Sequence, residues 1–357
     1  MWPDSYNVPV DIFQEHLTFS WTADASDYGG QIVGYRHVFD DTSSWPYWSL
    51  EDRTFEITPE LGQHSLYVSA LDNANVMTRA RIFIEVVEAD LSQYIVLVDD
   101  YDMWEIENPD RWGSDADRDA FYDSLLYCYE RPVVEWNPSE FLGGPDVATL
   151  ASASTVIWYA DSSPGGLAAE FNPFHQLYSP IAGYVRLGGN LILCGCEVLG
   201  SIMDQPYPIM VTAEDTTSAA VFVRDCLRIG RADFSGNGGN PSAPWAYGYC
   251  MHGAVPTPAG EALGFEPVYV DTGDCDVEPG KWWLYCTGGV YSHCGITVEK
   301  HESFQGTGLE IYGTDHFLNY NYEGETSVVL YLSGDNHGNV CYMGFDLYYL
   351  KTFQVKA

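Results

Sequence analysis

Apolar and polar positions alternate through much of the first ninety residues. Leu17, Phe19 and Trp21 alternate with Thr18, Ser20 and Thr22, the period-2 pattern of a half-buried strand. QIVGYRHVF (31–39), RTFEIT (53–58), HSLYVSAL (64–71) and RARIFIEVVE (79–88) follow at short spacing, separated by Asp, Gly, Asn and Pro. Short alternating strands at this density predict an all-β sandwich over residues 1–90. The rhythm changes near EADLSQ (88–93). YIVLV (94–98) is a continuous apolar run closed by Asp99 and Asp100, as in a strand covered on both faces. A helix from about Asp117 to Cys128, then VVEW (133–136), TVIWYAD (155–161), LILCG (191–195) and a helical TTSAAVFVRDCLRIG (216–230) alternate in turn. That order predicts an α/β domain over 91–357 built on a doubly wound parallel sheet. Residues 231–327, rich in Gly, Pro, Tyr and Trp, read as a mainly β insertion. SVVLYLSGDNHGNVCYMGF (327–345) then returns to the sheet as a hairpin turning at Asp335–Gly338.

Length supports this division, since 357 residues exceed one typical domain. Charge narrows the partners: 51 acids against 15 bases leave a formal net charge of -36, which repels phosphate backbones and anionic membranes. Nucleic acid is excluded as a partner on that ground, whereas calcium is attracted. No apolar stretch reaches the roughly 20 residues of a membrane helix. MWPDSYNVPVDIF lacks the basic start and apolar run of a leader, so an exported chain would carry its leader elsewhere. Nine cysteines without a paired C-x-x-C point to disulfides in an oxidising compartment, with one thiol left over.

Two resemblances sharpen the picture. FSWTADASDYGGQIVGYRHVFDD (19–41) and LGQHSLYVSALDNAN (61–75) resemble the fibronectin type III and Ig-like modules of secreted bacterial proteins, although Leu66 stands where fibronectin modules place a corner tyrosine. IVLVDDYD (95–102), TVIWYAD, YVRLGGNLILCG (184–195) and VCYMGFDLYYL (340–350) resemble the class I glutamine amidotransferase-like, flavodoxin-like superfamily, in the degenerate form found in secreted multidomain proteins. In active members of that family a cysteine on a sharp strand-to-helix turn is deprotonated by a His that a Glu orients. LILCGCEVLG (191–200) places Cys196 at that turn, the candidate catalytic residue. The family's Phe-His-Pro-Glu is replaced by Phe345-Asp346-Leu347-Tyr348, and aspartate cannot replace an imidazole as the base. His252, His316 and His337 are the distant alternatives, and a structural or disulfide-bonded Cys196 is the favoured reading.

Asp99, Asp100 and Asp102 follow the first strand of the α/β domain, at the edge where open α/β sheets bind ligands. Asp115, Asp117 and Asp119 form a D-x-D-x-D run that invites calcium. An EF-hand loop would need Gly and Glu where Ala120 and Leu126 stand, so capping of a helix N-terminus is the simpler reading. FSGNGGNPS (234–242) lacks the lysine of a phosphate-binding loop. Trp245, Trp282 and Trp283 are candidate stacking faces for a sugar, with burial in the insertion as the commoner use of such residues. No organic cofactor is implied, and calcium is the one ion the acidic clusters admit. The residues point to a non-catalytic binding or assembly protein, extracellular or on the cell surface, partnered by other protein domains, by its own copies or by glycan. The alternatives are a secreted hydrolase acting on peptide or glycan and a carbohydrate-binding protein.

Overall fold

The computed structural model describes residues 5–101, 115–127, 129, 131–141, 143–160, 165–172, 178–195, 198–234, 251–269, 299–316, 326–333, 337–345 and 347–350. The chain forms two compact units, Met1–Asp90 with Asp146–Ser152, and Leu91–Pro145 with Ala153–Ala357.

In the first unit six strands make two sheets. β1 (Ser5–Phe13), β3 (Ile32–Phe39), β5 (Gly62–Asp72) and β6 (Met77–Val87) lie in the order β1-β6-β5-β3, while β2 (Leu17–Ser20) pairs with β4 (Thr54–Ile57). Alternation along each strand decides which face is buried: Ile12, Leu66, Val68, Ala70, Ile84 and Val86 are all below a tenth exposed. The two sheets meet through rings, with Phe55 on β4 lying 4.8 Å from His37 and 5.5 Å from Phe39, both on β3. Each buried Ile, Leu or Val among these contributes about 1.5–3 kcal/mol. Leu66, at the corner-tyrosine position, is wholly buried core. β1 lies outside the pattern that begins at Leu17; it runs parallel to β6 at the sheet edge, where Pro9 is tolerated. The turn after β5 is closed by Asp72, whose carboxylate accepts the backbone N–H groups of Ala74 and Val76 at 2.8 and 2.7 Å.

The second unit is built on a nine-stranded sheet. Its parallel part comprises β7 (Tyr94–Asp100), β8 (Val133–Trp136), β9 (Ala153–Ala160), β10 (Asn190–Gly195) and β18 (Val340–Met343), in the order β8-β7-β9-β10-β18. The sheet does not stay parallel as the strand–helix alternation predicts. β17 (Thr326–Tyr331) returns antiparallel to β18, confirming the hairpin, and β16 (Leu309–His316), β13 (Met251–Pro256) and β14 (Val268–Tyr269) extend the same sheet. Strands from the predicted insertion therefore complete the main sheet. β11 (Ile209–Met210), β12 (Ile229–Phe234) and β15 (Glu299–Ser303) form a separate antiparallel sheet.

Helices are short: α1 (Asp115–Leu126), α2 (Gly165–Glu170), α3 (Pro180–Arg186), α4 (Val198–Met203) and α5 (Ser218–Val221), the last running into a π-helical turn over Phe222–Cys226. The start of α3 is fixed by Ser179, which accepts from Ala182 N–H at 3.2 Å, and by the buried Glu170, which accepts from Ser179 Oγ at 2.9 Å and Ile181 N–H at 3.1 Å. α1 buries Phe121, Tyr122, Leu125 and Leu126 in one cluster with Ile95, Leu97, Ile157, Tyr159 and Cys194. Among the described residues the predicted disulfides do not form: Cys194, Cys226 and Cys341 take part in none, and the other six cysteines lie outside the described residues. Among the described residues no helix is long and apolar enough to cross a membrane.

Candidate functional site

Four parallel strands end side by side, and their register builds the site. Asp99 pairs with Tyr159, Tyr159 with Cys194, and Cys194 with Met343, so these four positions form one row across the sheet. One residue further on, Asp100, Ala160 and Gly195 form the next row. Successive strand residues point to opposite faces. The two adjacent aspartates of the predicted Asp99, Asp100 and Asp102 cluster therefore diverge.

Asp100 is buried and fixed. Its carboxylate accepts the backbone N–H of Gly166 at 2.7 Å, that of Leu167 at 2.9 Å and the indole N–H of Trp158 at 3.0 Å. It thereby caps α2 with charge-assisted bonds, each worth about 1.5–3 kcal/mol.

The opposite face is filled by aromatic rings. Tyr122 of α1 stacks on Tyr159 of β9 with ring centroids 4.0 Å apart and planes 14° from parallel. The Tyr159 hydroxyl donates to Asp119 at 3.2 Å. Burial, then the carboxylates of Asp99 and Asp119, push the phenol far above its ordinary value, so Tyr159 stays protonated. Cys194 lies beneath, its sulfur 3.4 Å from the Tyr122 hydroxyl and 3.7 Å from the Trp158 carbonyl oxygen. Arg118 is fully buried, with its guanidinium carbon 3.7 Å from the centre of the Tyr101 ring and 4.6 Å from that of Tyr348. Such desolvated cation–π contacts are worth on the order of 2 kcal/mol.

Gly195 ends β10 at φ +153°, and a Cβ there would lie 2.4 Å from the Ala160 carbonyl oxygen. Only glycine fits this turn, which leads towards Cys196.

Cys196, Asp102, Trp245, Trp282 and Trp283 lie outside the described residues, as do the side chains of Asp115, His252 and His316. Asp119 is drawn to Tyr159, and among the described residues no group of three or more His, Cys, Asp or Glu side chains could hold a metal ion. The residues sequence reasoning missed are Arg118, Tyr122, Tyr159 and Cys194. Their signal was present in part: residues 118, 121, 122 and 125 fall on one helical stripe, which places Arg118 with the apolar positions.

An apolar cavity of about 680 Å³ lies along the sheet, walled by Ile157, Ile192, Leu330 and Met343 among others. Three of its polar members are bonded to main-chain carbonyls: Ser154 Oγ donates to the Tyr94 carbonyl oxygen, Asn190 to that of Ser154, and Arg131 to that of Ser92. Burial pushes the Cys341 thiol in its wall up to about 12.

No family model matches the chain, and no curated protein matches it. Among solved structures, the fibronectin(III)-like modules of Clostridium thermocellum CbhA are similar over 23% of this chain and 87% of theirs, at 20% identity and TM-score 0.16. A β-galactosidase from Bacillus circulans sp. alkalophilus is similar over 74% of this chain but 30% of its own length, at 11% identity and TM-score 0.36. A 2,6-sialyltransferase from Vibrionaceae Photobacterium sp. JT-ISH-224 is similar over 54% of this chain and 42% of its own, at 10% identity and TM-score 0.19.

Proposed function

We propose that this chain is a non-catalytic extracellular binding or assembly protein, and that its second unit is an amidotransferase-like, flavodoxin-like scaffold without the catalytic triad. The order β8-β7-β9-β10-β18, with every neighbouring pair parallel, supports the doubly wound part of this reading. The glycine-only turn at Gly195 supports the kinship with a strand-to-helix nucleophile turn. The observation that carries the functional reading is Tyr348. It stands where active family members place the orienting Glu, and its ring packs on the buried Arg118 instead.

A panel of chromogenic esters, peptide anilides and aryl glycosides tests the reading. The native chain is expected to turn over none of them faster than its Cys196→Ala variant. Turnover that disappears in Cys196→Ala would establish the hydrolase alternative.

A further inference from the structure

The chain carries 51 acids and 15 bases, more than three carboxylates for every cation. Arginines on such a surface ordinarily find a carboxylate. Arg36, Arg79 and Arg81 in the first unit, like Arg53, form no ion pair among the described residues; what sets the three apart is that they share one face.

The three share one face of the four-stranded sheet. Arg36 on β3 pairs in register with Ser69 on β5, Ser69 pairs with Arg79 on β6, and Arg81 pairs with Tyr67. This face is opposite the one that carries Leu66, Val68 and Ala70 into the core. Arg79 and Arg81, two residues apart on one strand, stand about 6.5–7 Å from each other along it.

Aromatic rings hold the guanidiniums where carboxylates would otherwise serve. The Arg36 guanidinium carbon is 4.7 Å from the Trp45 ring centre and 4.2 Å from that of Trp48, with Nη2 3.8 Å from the Met77 sulfur. That of Arg79 is 6.0 Å from the same Trp45 ring. Arg81 lies 3.7 Å from Phe83 and 4.9 Å from Tyr67, and donates to Ser65 Oγ through Nε and Nη2 at 3.3 and 3.0 Å. Arg36 Nε and the fully buried Ser69 Oγ have no hydrogen-bond partner. Burial first, and then the charge of Arg79, hold the Arg36 pKa below its ordinary value. Stacking accounts for the position of Arg36. It does not account for an exposed Arg79 beside it with no carboxylate drawn in from so acidic a chain.

We propose that this face is a binding site for an acidic glycan, recognised through the oxyanion of a uronic carboxylate or a sulfate ester. The forked donors of Arg79 and Arg81 fit such a group. Arg36, in contact with the Trp45 and Trp48 rings, adds its charge to the same face. Tyr47, between those two tryptophans in the chain and 97% exposed, supplies a flat face for the sugar ring. Charge arithmetic favours an oligosaccharide over a second copy of the chain. A second copy brings its whole net charge of -36 against an equal one, whereas a short glycan brings little beyond the groups that bind.

The test is calorimetric titration of the full chain with a uronate tetrasaccharide, a sulfated tetrasaccharide, a neutral tetrasaccharide and inorganic sulfate, at low and high salt. Binding of one acidic tetrasaccharide is expected, weakened by salt, and weakened about tenfold or more by Arg79→Glu at an exposed position that leaves the fold intact. Tyr47→Ala should weaken the oligosaccharide and leave inorganic sulfate unchanged. Which tetrasaccharide binds identifies the source of the oxyanion. The proposal is overturned if neither acidic tetrasaccharide binds, if the neutral one binds equally well, if Arg79→Glu changes nothing, or if inorganic sulfate binds as tightly as both. Self-association in sedimentation velocity that Arg79→Glu abolishes would give the face to a second copy instead. None of these outcomes bears on the second unit, which the Cys196→Ala comparison tests separately.

Discussion

The indole N–H of Trp158 donates to Asp100 Oδ2 at 3.0 Å, joining the ends of two neighbouring parallel strands through a buried carboxylate. Gly166 and Leu167 donate to the same group, so it organises both the sheet edge and the start of α2. Asp100→Ala leaves three buried donors without an acceptor and is expected to cost about 3–5 kcal/mol. Asp100→Asn keeps one good acceptor and should cost roughly half as much. Urea denaturation of both variants measures this, and equal stabilities would refute the capping role.

Gly195→Ala forces a Cβ against the Ala160 carbonyl oxygen at a backbone angle that side chains rarely adopt. A loss of about 2–4 kcal/mol follows from strain and overpacking together. A thermal midpoint within a degree or two of the parent would contradict the geometry of this turn.

His64 gives the first unit a pH dependence. Its Nδ1 lies 2.7 Å from Asp40 Oδ2 and its Nε2 2.8 Å from the Glu60 carbonyl oxygen, so both nitrogens face acceptors and the imidazolium is favoured. The bond to Asp40 raises the pKa above 6.5 despite partial burial. A raised folded-state value means the contribution is complete below about pH 6.5 and disappears as pH rises through the folded-state pKa. His64→Gln should therefore destabilise the chain more at pH 5.5 than at pH 9. An equal or reversed difference would remove this group from the account.

Cys341 acts in the same direction as His64, at higher pH. Burial lifts its thiol to about 12, so the folded state resists forming the thiolate that the unfolded chain forms from about pH 9. Its stabilising effect is whole below that pH and fades above it. Iodoacetamide at pH 9 should modify Cys341 in urea and leave it unmodified in the native chain. Prompt native labelling would show that the apolar wall opens.

Much of this architecture was legible because strand periodicity is a local property. YIVLV and TVIWYAD read as buried strands and are β7 and β9, and the 327–345 hairpin is β17 and β18. β1 escaped because Pro9 and a polar start mask its alternation, and its pairing with β6 spans most of the first unit. The divergence of Asp99 and Asp100 follows from the same period-2 rule, which proximity in sequence alone conceals. Arg118 sits in an acidic run whose charge hides its place on the buried stripe of α1. The Arg36, Arg79 and Arg81 face needed cross-strand register, which no local pattern encodes. The row Asp99, Tyr159, Cys194 and Met343 was hidden for the same reason.

The most direct test of the central claim, that the carboxyl edge of the sheet is not catalytic, is the rate at which iodoacetamide alkylates Cys196 at pH 7. The native chain is compared with the same chain in urea, with the modified peptide read by mass spectrometry. An unactivated thiol reacts no faster folded than unfolded, and that is the result predicted. A native rate about tenfold or more above the unfolded rate would mean a stabilised thiolate, and would contradict the account.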